Sequence, residues 1–186
     1  MRKKLVTSAI AILVLGSVAI PASADAHGSH TRRVRMQDNC DPATFDAAFG
    51  PGTCLDNHGH DNVTLPEFFA ALNPVDFGHE DWNFKPSELD LDSGDSIKVV
   101  VRGGEYHTFT EVPKFEPGCI GVINDLLGLT GVPSVFDCAT LFTTPSGVHP
   151  GDSITVSGLS DGTHLFMCEI HPWMRSVVTV GEDDDD

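Results

Sequence analysis

From about residue 79 the apolar positions run in short bursts of strand period, separated by turn residues. Asn83-Phe84-Lys85-Pro86 reads as a short edge segment. Leu89 and Leu91 alternate with acidic neighbours before the Ser93-Gly94-Asp95 turn, and Ile97–Val101 reads as a buried strand broken by Gly103-Gly104. Tyr106–Val112, Ser153–Val156, Thr163–Cys168 and Ser176–Val180 complete the set. Many short strands with turn signals between them predict an all-β sandwich. Residues 113–147 are rich in Gly and Pro and read as an insertion, with a short helix around Ile120–Leu127.

Upstream the pattern differs. Residues 25–36 are polar without periodicity and read as a flexible arm. Residues 40–73 read as a small helical extension. Asp41-Pro42 is a helix start with proline in the first turn, and Gly50-Pro51-Gly52 is its stop. A second short helix over Leu65–Leu72 carries Phe68, Phe69 and Leu72 on one face. Residues 1–24 combine Arg2-Lys3-Lys4, an apolar run over Leu5–Ile20 and Ala22-Ser23-Ala24, the layout of a signal peptide. The organisation expected is therefore 1–24 signal peptide, 25–78 arm and helical extension, 79–181 sandwich with its insertion at 113–147, and 182–186 acidic tail. A secreted or periplasmic location follows, with no membrane span.

Charge narrows the partners. Removing residues 1–24 takes away three basic and no acidic residues, so the formal charge moves from −16 to −19. Such a chain repels nucleic acid and favours a basic protein partner. The five cysteines are an odd number for an oxidising compartment. Cys40–Cys54 and Cys119–Cys138 each bracket a turn-rich loop that can close locally, which leaves Cys168 over.

Cys168 opens the informative segment Cys168-Glu169-Ile170-His171-Pro172-Trp173-Met174. A thiolate, an imidazole and a thioether at this spacing on a loop suit copper, and a second imidazole completes a type 1 site. His107, after the glycine break, is the candidate. The expected ligands are His107, Cys168, His171 and Met174 around one copper per chain, with Met174 weakest.

These residues carry a resemblance. Cys168-x2-His171-Pro172-x-Met174-Arg175 is similar to the ligand loop of amicyanin, within the plastocyanin and azurin group of cupredoxins. Gly162–Cys168 resembles the strand leading into that loop, and Trp82–Val101 resembles the family's first strands. The resemblance spans roughly residues 79–181 and implies a Greek-key sandwich that transfers electrons. The ligand set implies no open coordination position, and no paired-carboxylate, Ser-His-Asp or phosphate-cradling pattern is seen in the sequence, so no enzyme is expected. Thr108 stands where the family usually has an Asn that ties the ligand loops, and His164 replaces a usual Tyr. The gap from His107 to Cys168 is also longer than in small members, which fits the stapled insertion.

The function expected is a soluble, monomeric one-electron carrier. Its alternatives are a copper-scavenging protein and an accessory copper domain of an oxidase or reductase. His171, on the ligand loop, is the expected electron exit, with Pro172 and Trp173 as an exposed docking patch for a basic redox partner. Cleavage after Ala24 would expose Asp25-Ala26-His27, whose α-amine, amide nitrogens and imidazole suit a second, square-planar copper(II) site. Cleavage after Ala26 would remove it. Residues 56–67 resemble a degenerate calcium loop, with His58, His60 and Asp61 where oxygen ligands and the turn glycine belong.

Overall fold

A computed structural model of the chain describes residues 28–55 and 62–181. In chain order its elements are β1 (Thr31–Gln37), α1 (Pro42–Phe49), α2 (Leu65–Ala71), β2 (Asn83–Lys85), β3 (Glu88–Leu91), β4 (Ser96–Val101), β5 (His107–Thr108), β6 (Thr110–Val112), α3 (Gly121–Leu126), a 3₁₀ turn (Cys138–Thr143), β7 (Gly147–Val148), β8 (Ser153–Ser157), β9 (Gly162–Met167) and β10 (Arg175–Val180). Two sheets form the sandwich, with strand orders β2-β1-β4-β8 and β3-β10-β9-β6, and β5 pairs with β7 at one end. The all-β sandwich with helical additions is as the pattern predicts.

Alternation sets which face is inward. In β4, Ile97, Val99 and Val101 are buried, and in β3, Leu89 and Leu91 are buried between exposed Glu88 and Asp90. Phe109 and Phe166 stack across the core with ring centroids 4.3 Å apart. Each such apolar side chain contributes about 1.5–3 kcal/mol by leaving water.

The N-terminal boundary needs correction. Residues 31–36, expected in a flexible arm, form with Gln37 the strand β1 at the centre of the first sheet. The strand runs parallel to β4 from Thr31↔Ser96 to Met36↔Val101 and antiparallel to β2. Its inward signal is just Val34 and Met36, both fully buried, set among arginines. Two apolar positions are too few to reveal a strand before its neighbours are known. The sandwich therefore starts at Thr31, and the helices are inserted between β1 and β2 instead of preceding it.

Those helices form as their end signals require. Asp41 caps α1, its carboxylate accepting from the Thr44 amide, with proline in the first turn. Thr64 and Glu67 make a reciprocal capping box on α2. Glu67, the last position of the calcium-like loop, is thus a capping residue; residues 56–61 of that loop lie outside the described residues. Phe45 of α1 and Phe68 of α2 pack on Trp82, with centroids 6.2 and 4.7 Å away. Cys40–Cys54 and Cys119–Cys138 are both disulfides, with Cα separations of 6.1 and 5.4 Å. The first holds the helical insertion to β1, and the second closes the insertion around α3.

The first sheet carries basic residues on its outer face. Because Val34, Met36, Phe84, Ile97 and Val99 point inward, Arg33, Arg35, Lys85 and Lys98 share the outer face of the first sheet. Acidic residues lie on the helical insertions, including Asp46, Glu67 and Asp125.

Candidate metal centre

β9 delivers Cys168 at its end, and the chain then turns through His171 to Met174. The Met174 amide donates to the His171 carbonyl at 2.8 Å, and the Cys168 amide donates to the Met174 carbonyl at 3.0 Å. His107 opens β5 from the other side. The structure brings His107, Cys168 and His171 together, with ligand atoms all within 4.8 Å of one another. Cys168 Sγ lies 3.9 Å from Nδ1 of His107 and 3.9 Å from Nδ1 of His171. His107 and Cys168 have no exposure and His171 has 2%. Met174, also fully buried, closes the same loop.

These donors fit a single ion. First-row metals bond sulfur and imidazole nitrogen at about 2.0–2.3 Å, so donors 3.9 Å apart can share one centre. Cys168 is the free cysteine among the described residues. Burial raises its thiol, but hydrogen bonds and charge from His107 and His171 outweigh that, so the thiol ionises well below its ordinary range. Burial lowers the His107 imidazolium, yet the bonds to Asp38 and Cys168 dominate and raise it to about 10. A bound cation would take that proton's place as the thiolate's counter-charge.

The surroundings hold the donors in place. Thr108 ties the two ligand segments: its Oγ1 accepts from the Glu169 amide at 2.8 Å, and its own amide donates to Cys168 Sγ at 3.5 Å. The link expected of an Asn is thus made by a shorter hydroxyl. His107 Nε2 lies 2.8 Å from Asp38 Oδ2. Glu105 Oε2 accepts from Trp82 Nε1 at 2.5 Å and stands 3.8 Å from His171 Nε2. Burial raises the Glu105 carboxyl, with the charge of His171 opposing. Asp38, Glu105 and Trp82 were not apparent as site residues in the sequence. The one signal was Gly103-Gly104. A Cβ on Gly103 would strike the Asp38 carboxylate, and one on Gly104 would strike the Leu55 carbonyl and the Cys40–Cys54 sulfurs.

His164 is half-buried and bonds Glu111 at 2.6 Å and the Ser160 carbonyl at 2.7 Å, away from the centre. The docking patch is different from the expectation. Pro172 is buried, and Trp173 is half-buried, donating Nε1–H to the Trp82 carbonyl at 3.0 Å. Its indole packs on His171 and Phe68, and Gly78 leaves room for it. The helical insertion supplies an aromatic bed that a ligand loop on a bare sandwich would lack, so Trp173 folds inward. The apolar surface near the centre is instead a cavity of about 420 Å³ that reaches His171 and Glu105. Phe49, Val122 and Phe142 stand exposed among its lining residues. Asp25, Ala26 and His27 lie outside the described residues.

No family model matches the chain, and no curated protein matches it. Among solved structures it is similar to a purple cupredoxin from Nitrosopumilus maritimus (16% identity, TM-score 0.35, covering 59% of this chain and 94% of that one). It is similar to pseudoazurin from Methylobacterium extorquens (17%, 0.37, 83% and 78%) and to a mutant fern plastocyanin (14%, 0.39, 80% and 98%). No helix among the described residues is long and apolar enough to cross a membrane.

Proposed function

We propose that this chain is a type 1 copper protein of cupredoxin kind that carries single electrons outside the cytoplasm. The observation that carries the reading is the buried His107–Cys168–His171 cluster, whose donor atoms lie within 4.8 Å around a thiol already biased to its anion. A thiolate and two imidazoles, with a thioether as weak fourth donor from Met174, are the donor set of blue copper. Bound copper would supply a one-electron couple.

The chain's own residues do the rest. Thr108 and the loop hydrogen bonds hold the donors in one arrangement, which keeps structural change between oxidation states small. Trp82, Phe68 and Trp173 exclude water from the His171 side. His171 lines the apolar cavity, so electrons enter and leave through its edge there, in place of Pro172 and Trp173. The acidic helical insertions around that end favour a basic redox partner, which salt would weaken. The two disulfides accord with an oxidising compartment.

The test is the visible spectrum of the copper(II)-loaded protein. An intense thiolate-to-copper charge-transfer band is expected. Cys168→Ser abolishes it, whereas Met174→Leu keeps the colour and changes the reduction potential. A colourless copper(II) protein with all four residues intact would falsify the assignment.

A further inference from the structure

An imidazole that binds a metal through one nitrogen presents the other to its surroundings, and the partner found there sets the ring's tautomer and its donor strength. His107 turns Nδ1 to the Cys168 sulfur and Nε2 to Asp38 Oδ2, 2.8 Å away. Both residues are essentially without solvent exposure, at 0% and 1%. Asp38 receives further donors. Its Oδ1 accepts from the Gly104 amide at 2.8 Å and the Cys40 amide at 3.4 Å, and its Oδ2 accepts from the Glu105 amide at 3.2 Å. Amides can only donate, so the carboxylate meets them as an acceptor and is stabilised as an anion. The arrangement is built: Asp38 follows β1, 69 residues before His107, and Gly103 lacks the Cβ that would collide with its carboxylate.

We propose that Asp38 is a positioning residue for the copper centre. It fixes the proton of His107 on Nε2, leaving Nδ1 as the metal donor, and holds a negative charge against the ring that lowers the reduction potential. This inference rests on the copper reading above. A buried negative charge favours copper(II) over copper(I), because the ion of higher charge gains more and little water screens it. An anionic acceptor also makes the imidazole a stronger donor. The residue next after β1 thus supplies the side chain that tunes the site.

The test compares the parent with Asp38→Asn, which removes the charge and keeps one acceptor oxygen, either for Gly104 and Cys40 or for Glu105 and His107. Glu88→Gln, exposed on β3, is the remote control. Visible spectra and reduction potentials are measured for all three. The blue band is expected in each. The ratio of copper(II) to copper(I) affinity should fall at least tenfold in Asp38→Asn, a potential rise of about 59 mV, and stay within twofold in Glu88→Gln. A blue Asp38→Asn protein whose ratio lies within twofold of the parent would overturn the inference and leave the copper reading standing. A parent without the band overturns both. If Asp38→Asn does not fold, proton NMR of the copper(I) parent decides. The His107 Nε2 proton should be far downfield and protected from exchange; exchange as fast as that of the exposed His149 ring would overturn the inference.

Discussion

Thr108→Val tests how the two ligand segments are joined. The two side chains have nearly the same shape, so the change removes one hydroxyl and leaves packing in place. That hydroxyl is the acceptor for the Glu169 amide at 2.8 Å, and it also accepts from Thr110 at 3.2 Å. Thr110 keeps Ser146 and Glu169 as partners, but no other acceptor for the Glu169 amide is seen. Thr108 is fully buried and Glu169 is 1% exposed, so water cannot replace the lost bond cheaply. A buried donor left unsatisfied costs about 1–3 kcal/mol. For a chain of this size that is about 2–4 °C in midpoint for each kcal/mol. Chemical denaturation of the metal-free protein, with both disulfides intact, measures it. Thr108→Ser, which keeps the hydroxyl, should recover most of the loss. A Thr108→Val protein within about 0.5 kcal/mol of the parent, where ordinary surface substitutions fall, would refute the assigned tie.

Two further outcomes follow from the same contacts. His164 is raised above its ordinary value by its bonds to Glu111 and the Ser160 carbonyl. A raised folded value means that its contribution to stability is complete below about pH 6.5, the unfolded value, and is lost as pH rises through the folded value. His164→Gln should flatten that part of the stability profile, and an unchanged profile would remove the ion pair from the account. Phe142, 66% exposed on the cavity lining, should contribute to partner docking. Phe142→Ser should slow bimolecular electron exchange about fivefold, the effect of losing about 1 kcal/mol at an interface, and leave the visible spectrum unchanged. Equal rates would place docking elsewhere.

Much was legible in the order of residues, and for definite reasons. Period-two alternation in β3 and β4 shows which side chains face inward, because successive strand residues point to opposite faces. Asp41-Pro42 and Gly50 mark the ends of α1, because helix termini need local partners for their free amides and carbonyls. The disulfides close short loops, and Cys168, His171 and Met174 lie within one turn of chain. All of these depend on neighbours close in the chain, at most 19 residues apart for the disulfides.

What stayed hidden depends on neighbours far apart. β1 has two inward side chains and becomes a strand because β4 and β2 flank it. Asp38 reaches His107 across 69 residues, and Trp82 reaches Glu105 across 23. Trp173 looked like a docking residue because its own loop offers no core; α2 and Trp82, inserted earlier in the chain, provide one. Burial of a loop residue, the partner of a ligand's outer nitrogen and the shape of the cavity beside His171 are properties of surfaces brought together by folding. No local spacing encodes them, since each half of the contact is unremarkable until the other half arrives.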